Sequence, residues 1–226
     1  SLANIGDLDG DGVEDLAVGA TRDDAGGTNR GAVHIMFMNA NGTPKSTVKI
    51  DDSTANGPDL GDRDYFGRSI ANMGDRDGWD GEDGIVLAVG ATRDNAGQGE
   101  RGAVHIVFVN TNGSVDSTVE IDDSTANGPD LANDDKFGRS SANIGDMDGD
   151  GVDDLAVGAV NDNVLHIMFM NANGTPKSTI EIDESVANGP DLANDDGFGR
   201  SSANIGDLDR DGIDDLAVGA NGDDVL

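Results

Sequence analysis

The chain has 226 residues, 45 of them acidic and 14 basic, for a formal net charge of −31. Such a polyanion repels nucleic-acid phosphates and anionic membrane surfaces, so neither is an expected partner, and metal cations are its natural counterions. There is no cysteine to form disulfides or thiolate metal sites, and no apolar run approaches the roughly 18 residues of a membrane-spanning helix.

The acids are 39 Asp against 6 Glu, accompanied by 34 Gly. Aspartate favours turns and hard-cation sites and disfavours helix interiors, so this composition describes tight loops between short strands. Only 35% of residues are hydrophobic and 4% aromatic, a thin supply for a core, which makes bound metal the expected source of added stability. Adaptation to a salty medium accounts for the charge as well, but not for its spacing. The absence of an initiator Met points to a mature or trimmed product.

Self-comparison divides the chain into repeat units at 1–65 (its first strand truncated at the start), 66–136, 137–197 and a partial unit at 198–226. Leu-Ala-Val-Gly-Ala begins at Leu16, Leu87, Leu155 and Leu216, with spacings of 71, 68 and 61. The third unit is short because the loop 21–31 of the first shrinks to 160–163. Phe-Gly-Arg-Ser begins at Phe66, Phe137 and Phe198, and Ala-Asn-Ile/Met-Gly-Asp ends at Asp7, Asp75, Asp146 and Asp207.

The first unit opens with the loop Asp7-Leu8-Asp9-Gly10-Asp11-Gly12-Val13-Glu14-Asp15. The second shows the strand pattern best, with runs at 69–74, 85–91, 103–110 and 117–121. The third run is apolar on both faces and should be covered on both sides, whereas the fourth alternates as an outer, half-exposed strand does. Asn-Gly at 41–42, 112–113 and 173–174 suits a tight hairpin between them, with both residues tolerating positive φ. Four antiparallel strands per repeated unit predict an all-β fold of propeller-type blades, three complete and one partial. The chain begins inside a first strand and stops at Leu226, where a fourth third-strand would start. Either a piece of something longer or a protomer completing its sheets with neighbouring copies is therefore expected, an open or intermolecularly completed array being the variant.

The acidic loop recurs as Asp146-Met147-Asp148-Gly149-Asp150-Gly151-Val152-Asp153-Asp154 and Asp207-Leu208-Asp209-Arg210-Asp211-Gly212-Ile213-Asp214-Asp215. Carboxylates at positions 1, 3, 5 and 9 can converge on one cation, joined by the backbone carbonyl of Val13, Val152 or Ile213, while Gly at position 6 permits the bend. An all-oxygen, high-coordination set predicts Ca²⁺ rather than Mg²⁺. An EF-hand fails because its closing Glu is replaced by Val18, Val157 and Val218 and the flanks read as strands. The second unit departs from the pattern: Asp75 and Asp77 keep their places, but further ligands must come from Asp80, Glu82 or Asp83.

The Phe-Gly pairs, the Asp-x-Asp-x-Asp-Gly-x-x-Asp loops and the Gly-Ala after each second strand together resemble FG-GAP repeats, the units of integrin α propellers and of many secreted bacterial proteins. The resemblance covers essentially the whole chain, although the usual Pro after Gly-Ala is replaced by Thr21, Thr92, Val160 and Asn221. It implies a blade per unit, Ca²⁺ in the first inter-strand loop, and a role in adhesion or extracellular assembly.

No nucleophile elbow, phosphate loop or dinucleotide fingerprint occurs, and a non-catalytic protein is expected. The readings are a calcium-stabilised extracellular or cell-surface module, a protomer of a calcium-dependent surface filament, or an accessory domain of a larger secreted enzyme. Its partner would be a protein or glycan on a surface, or further copies of itself. Asn41, Asn112 and Asn173 match the N-glycosylation pattern, which turn chemistry also explains. His34, His105 and His166 share one repeat position and are expected in a repeated packing environment. Arg68, Arg139 and Arg200 are expected to pair with nearby Asp.

Overall fold

The computed structural model describes residues 1–94, 99–193 and 195–222. The first sheet holds β1 (Leu2–Asn4), β2 (Leu16–Ala20), β3 (Ala32–Met38) and β4 (Pro44–Ile50). The second holds β5 (Phe66–Asp75), β6 (Gly84–Ala91), β7 (Ala103–Asn110) and β8 (Val115–Ile121). The third holds β9 (Ser141–Asn143), β10 (Leu155–Ala159), β11 (Val164–Met170) and β12 (Pro176–Ile182), and β13 (Ser201–Gly206) pairs with β14 (Asp215–Gly219) alone. Every pairing is antiparallel and follows chain order, so each repeat is one blade-like sheet. Among the described residues the sheets do not close into a ring. The expected further strand beginning at Leu226 lies outside the described residues.

The core lies between sheets rather than within any one of them. Ile35 and Phe37 of the first sheet meet Leu87, Val89 and Val107 of the second. Ile106 and Phe108, on the opposite face of β7, meet Leu155, Val157 and Met168 of the third. Strand β7 is therefore buried on both faces up to Asn110, as its doubly apolar pattern predicts. Each large aliphatic side chain so enclosed contributes about 1.5–3 kcal/mol. A blade alone would leave both of its faces wet.

The repeat motifs are two halves of one contact between sheets. Phe66 and Phe137 are fully buried, and each forms a parallel bridge to the preceding blade, at Gly31 and Gly102 respectively. The glycine after each Phe then crosses the Val-Gly-Ala glycine of that preceding blade. A Cβ on Gly19 would stand 2.1 Å from the Gly67 carbonyl oxygen, one on Gly90 would stand 2.0 Å from that of Gly138, and one on Gly158 would stand 1.8 Å from that of Gly199. The same carbonyls accept hydrogen bonds from Ser1, Ser69 and Ser140 hydroxyls at 2.7, 3.0 and 2.8 Å. On the inner strands, Asn72 and Asn143 amides donate to the Asn4 and Asn72 carbonyls of the preceding blades.

Tight hairpins join third and fourth strands at the Asn-Gly pairs, as expected, but not with both residues at positive φ. Gly42, Gly113 and Gly174 have φ near +80°, but their Asn partners are not left-handed. Asn39 instead accepts from Gly42 N–H and donates its own N–H to the Thr43 carbonyl, which makes a three-residue loop closed by a glycine bulge. Asn41 Oδ1 accepts from the Thr43 N–H and hydroxyl, so its side chain, not its φ, shapes the turn. His105 and His166 pack edge-on against Phe66 and Phe137 at 5.4 and 5.3 Å, the repeated packing environment expected of them. Burial lowers both imidazoles to about 4, which keeps them neutral.

Candidate metal centres

Each acidic loop links the first strand of a blade to its second. In the first blade Asp7 receives the N–H groups of Asp11 and Gly12, at 2.9 and 2.7 Å, and Asp11 receives that of Val13 at 3.0 Å. These bonds wind the loop tightly, with Gly12 at φ +87° making the turn. Asp15 closes it from below. Fully buried, it accepts from Leu8 N–H at 3.1 Å and from Met38 N–H at 2.8 Å, tying the loop to β3. Met38 sits at the bulge where β3 pairs Pro44, a residue with no N–H to offer the ladder.

The third blade repeats the arrangement residue for residue. Asp146 accepts from Asp150 and Gly151, Asp150 from Val152, and Asp154 from Met147 and Met170. Burial raises the Asp154 pKa, against the pull of those two backbone donors. In the fourth unit Asp207 accepts from Asp211 and Gly212, Asp211 from Ile213, and Asp215 from Leu208.

Three carboxylate groups gather in each of these loops. Oxygens of Asp7, Asp9 and Asp15 lie within 4.8 Å of one another, as do those of Asp146, Asp148 and Asp154 and those of Asp207, Asp209 and Asp215. These clusters can hold a metal ion. The position-5 acids Asp11, Asp150 and Asp211 stand outside these trios, yet two of them share a cation with the position-3 acid. Lys45 Nζ lies 2.5 Å from both Asp9 Oδ2 and Asp11 Oδ2, and Lys177 Nζ bridges Asp148 and Asp150 in the same way. The bonds to Lys45 and Lys177 hold the Asp11 and Asp150 carboxyl groups below their usual range. An ammonium therefore stands beside the oxygens that the sequence assigns to a cation, which is the charge such a donor set fits.

The second blade is built differently. Asp75 accepts from Asp77 N–H at the start of a 3-10 turn, Arg76–Gly78, and neither acid joins a carboxylate trio among the described residues. Position 2 of the loop, Leu8, Met147 or Leu208 elsewhere, is Arg76, a residue only 1% exposed. It bonds Asp80 at 2.6 Å, Asp116 at 3.2 Å and Asn110 Oδ1 at 2.9 Å. Asp116 occupies the repeat position of Lys45 and Lys177. The charges are thus reversed: the loop supplies the cation and the fourth strand the anion. Sequence reading missed this swap, although aligning Lys45, Asp116 and Lys177 with Leu8, Arg76 and Met147 exposes it.

The arginines that follow Phe-Gly depart from expectation. Among the described residues, Arg68, Arg139 and Arg200 form no ion pair with Asp or any other acid. Their side chains instead line one cavity at the end of the blades opposite the acidic loops. The Phe-Gly contact that precedes each arginine fixes the backbone there.

Comparison with known proteins agrees with this geometry. The FG-GAP repeat model matches residues 1–36, which include the first acidic loop and β2. Human integrin alpha-6 is 31% identical over 163 residues, covering 71% of this chain but only 13% of that protein. The chain therefore carries an FG-GAP repeat at residues 1–36, is integrin-α-like, and is a distant homologue of integrin alpha-6.

Proposed function

We propose that the chain is a calcium-stabilised structural or adhesive module of the cell exterior, non-catalytic, whose partner is a surface protein or glycan or another copy of itself. The observation that supports this most is the recurrence of three carboxylate trios at one repeat position. In two of them a lysine ammonium bridges the position-3 and position-5 acids. Asp7, Asp9, Asp11 and Asp15 would hold the ion with the Val13 carbonyl; Asp146, Asp148, Asp150, Asp154 and Val152 would do so in the third blade. Asp207, Asp209, Asp211, Asp215 and Ile213 make the fourth set. Calcium supplies positive charge and a demand for many oxygen ligands. The chain's own contribution is mechanical: Asp15 and Asp154 couple the loop to the third strand, so ordering the loop orders the blade. Displacing the ammonium frees Lys45 toward solvent. Asn41, Asn112 and Asn173 are exposed on the same end and are proposed as glycan acceptors.

Thermal unfolding in calcium and in chelator tests this reading. A site held at a hundredfold excess over its Kd adds about 2.7 kcal/mol. Asp9 bonds no backbone group of its loop, so Asp9→Ala should remove much of the calcium-dependent gain of the first blade and change chelated stability little. A wild-type chain with the same melting temperature in calcium and chelator would overturn the proposal.

A further inference from the structure

Six of the fourteen basic residues of this −31 chain line one cavity of about 360 Å³: Arg22, Arg68, Arg93, Lys136, Arg139 and Arg200. Two of the six are neutralised. Lys136 bonds Glu100 at 2.5 Å and Asp134 at 2.6 Å, and Arg93 lies 3.6 Å from Glu100 and over the Tyr65 ring. Arg22, Arg68, Arg139 and Arg200 have no ion pair among the described residues. In a protein with three acids per base, four cations without an ion pair gathered at one cavity need a cause.

The repeat supplies the placement. Each Phe-Gly contact locks a blade to the one before it, and the next residue is the arginine, so successive arginines converge where the inner strands meet. Arg68 and Arg139 are partly buried there, and burial together with the Arg200 charge lowers the Arg68 pKa. Like charges gathered and partly desolvated are destabilising without a counter-charge. Guanidinium groups offer forked donors that match a carboxylate bidentately. The overall charge repels large polyanions, and a cavity of about 360 Å³ has room for a small molecule or a single side chain.

We propose that this cavity is a carboxylate-binding site, taking a small organic acid or a single acidic side chain in the fork of Arg68, Arg139 and Arg200. The two sources share their chemistry and differ in what surrounds it. The experiment is calorimetric titration of the chain in calcium with succinate and, separately, with N-acetyl-aspartate amide, at constant ionic strength set by sodium chloride. Saturable binding of one or both is expected, weakened about tenfold or more by Arg68→Gln or Arg139→Gln. Arg200 is exposed, so Arg200→Gln provides a variant whose fold is not at stake, and all three are checked by circular dichroism. Tighter binding of succinate assigns a free small acid, and tighter binding of the blocked aspartate assigns a protein side chain. No saturable binding of either, or unchanged affinity in the folded glutamine variants, overturns the proposal.

Discussion

At single positions, this chain changes charge while keeping shape. Lys49 of the first blade bonds Asp23 at 2.6 Å and Asp51 at 3.1 Å, but the equivalent residues of the next two blades are Glu120 and Glu181. Glu120 therefore faces Asp94 and Asp122 with no ammonium between them. Its Oε1 is buried without a hydrogen-bond partner, and burial followed by those charges pushes its pKa up to about 7. Asp64 rises to about 7 beside Asp94 for the same reasons. A carboxyl whose folded pKa exceeds its unfolded value binds more protons when folded, so its contribution favours the fold at acid pH and is lost as pH rises toward 7. Removing the charge should reverse that loss. Glu120→Gln is expected to stabilise the chain at pH 8 by on the order of 1–2 kcal/mol, after solvent screening of a partly exposed group, and to do nothing at pH 4. Urea unfolding at the two pH values measures it; an equal effect at both would show that packing, not charge, decides.

At the level of strands and turns, the Phe-Gly and Val-Gly-Ala segments behave as one joint. Their strand character is legible from alternation, and their recurrence marks the blades, yet nothing local in either segment says that the two glycines touch. That contact is set between repeats, where one blade's inner strand crosses the next, so it emerges only once the sheets are stacked. The same limit hid the fate of the arginines: sequence proximity to Asp suggested ion pairs, whereas stacking brings Arg68, Arg139 and Arg200 to one shared cavity. The acidic loops were readable because their bonds are local, from Asp7 to Gly12 and from Asp15 to Leu8. The bonds of Asp15 and Asp154 to the third strand, the reach of Lys45 and Lys177 from the fourth, and the Arg76–Asp116 pair lay beyond local pattern. The joint makes a clear demand on chemistry. Gly90→Ala places a methyl 2.0 Å from the Gly138 carbonyl oxygen, a backbone atom that cannot swing aside. The blades must part slightly, at an expected cost of about 1–3 kcal/mol. Ala91→Gly, one residue on, gives the comparison without overlap. Matching losses in denaturant unfolding would mean that the glycine contact is not the constraint.

For the whole molecule, the question is whether cations act by screening or by occupying sites. Three divalent ions would neutralise only six of the 31 excess charges, too few to relieve the general repulsion. Sodium chloride does relieve it, because charges more than about 8 Å apart are largely screened at 0.15 M salt. The two mechanisms therefore separate at constant ionic strength. The second blade sharpens the contrast, since Arg76 already supplies its loop with a buried cation that no chelator removes. Unfolding should then begin in the first, third and fourth units when calcium is withdrawn, with amides of β6 and β7 the last to lose protection from hydrogen exchange. Melting temperature should rise when millimolar calcium replaces sodium at equal ionic strength, while added sodium chloride in chelator recovers only part of that rise. If salt alone restores the full stability, and exchange quickens evenly through all the sheets, the acidity is an adaptation to the medium and the loops are turns rather than ion sites. If calcium acts at equal ionic strength and spares the second blade, the carboxylate trios are the places where it acts.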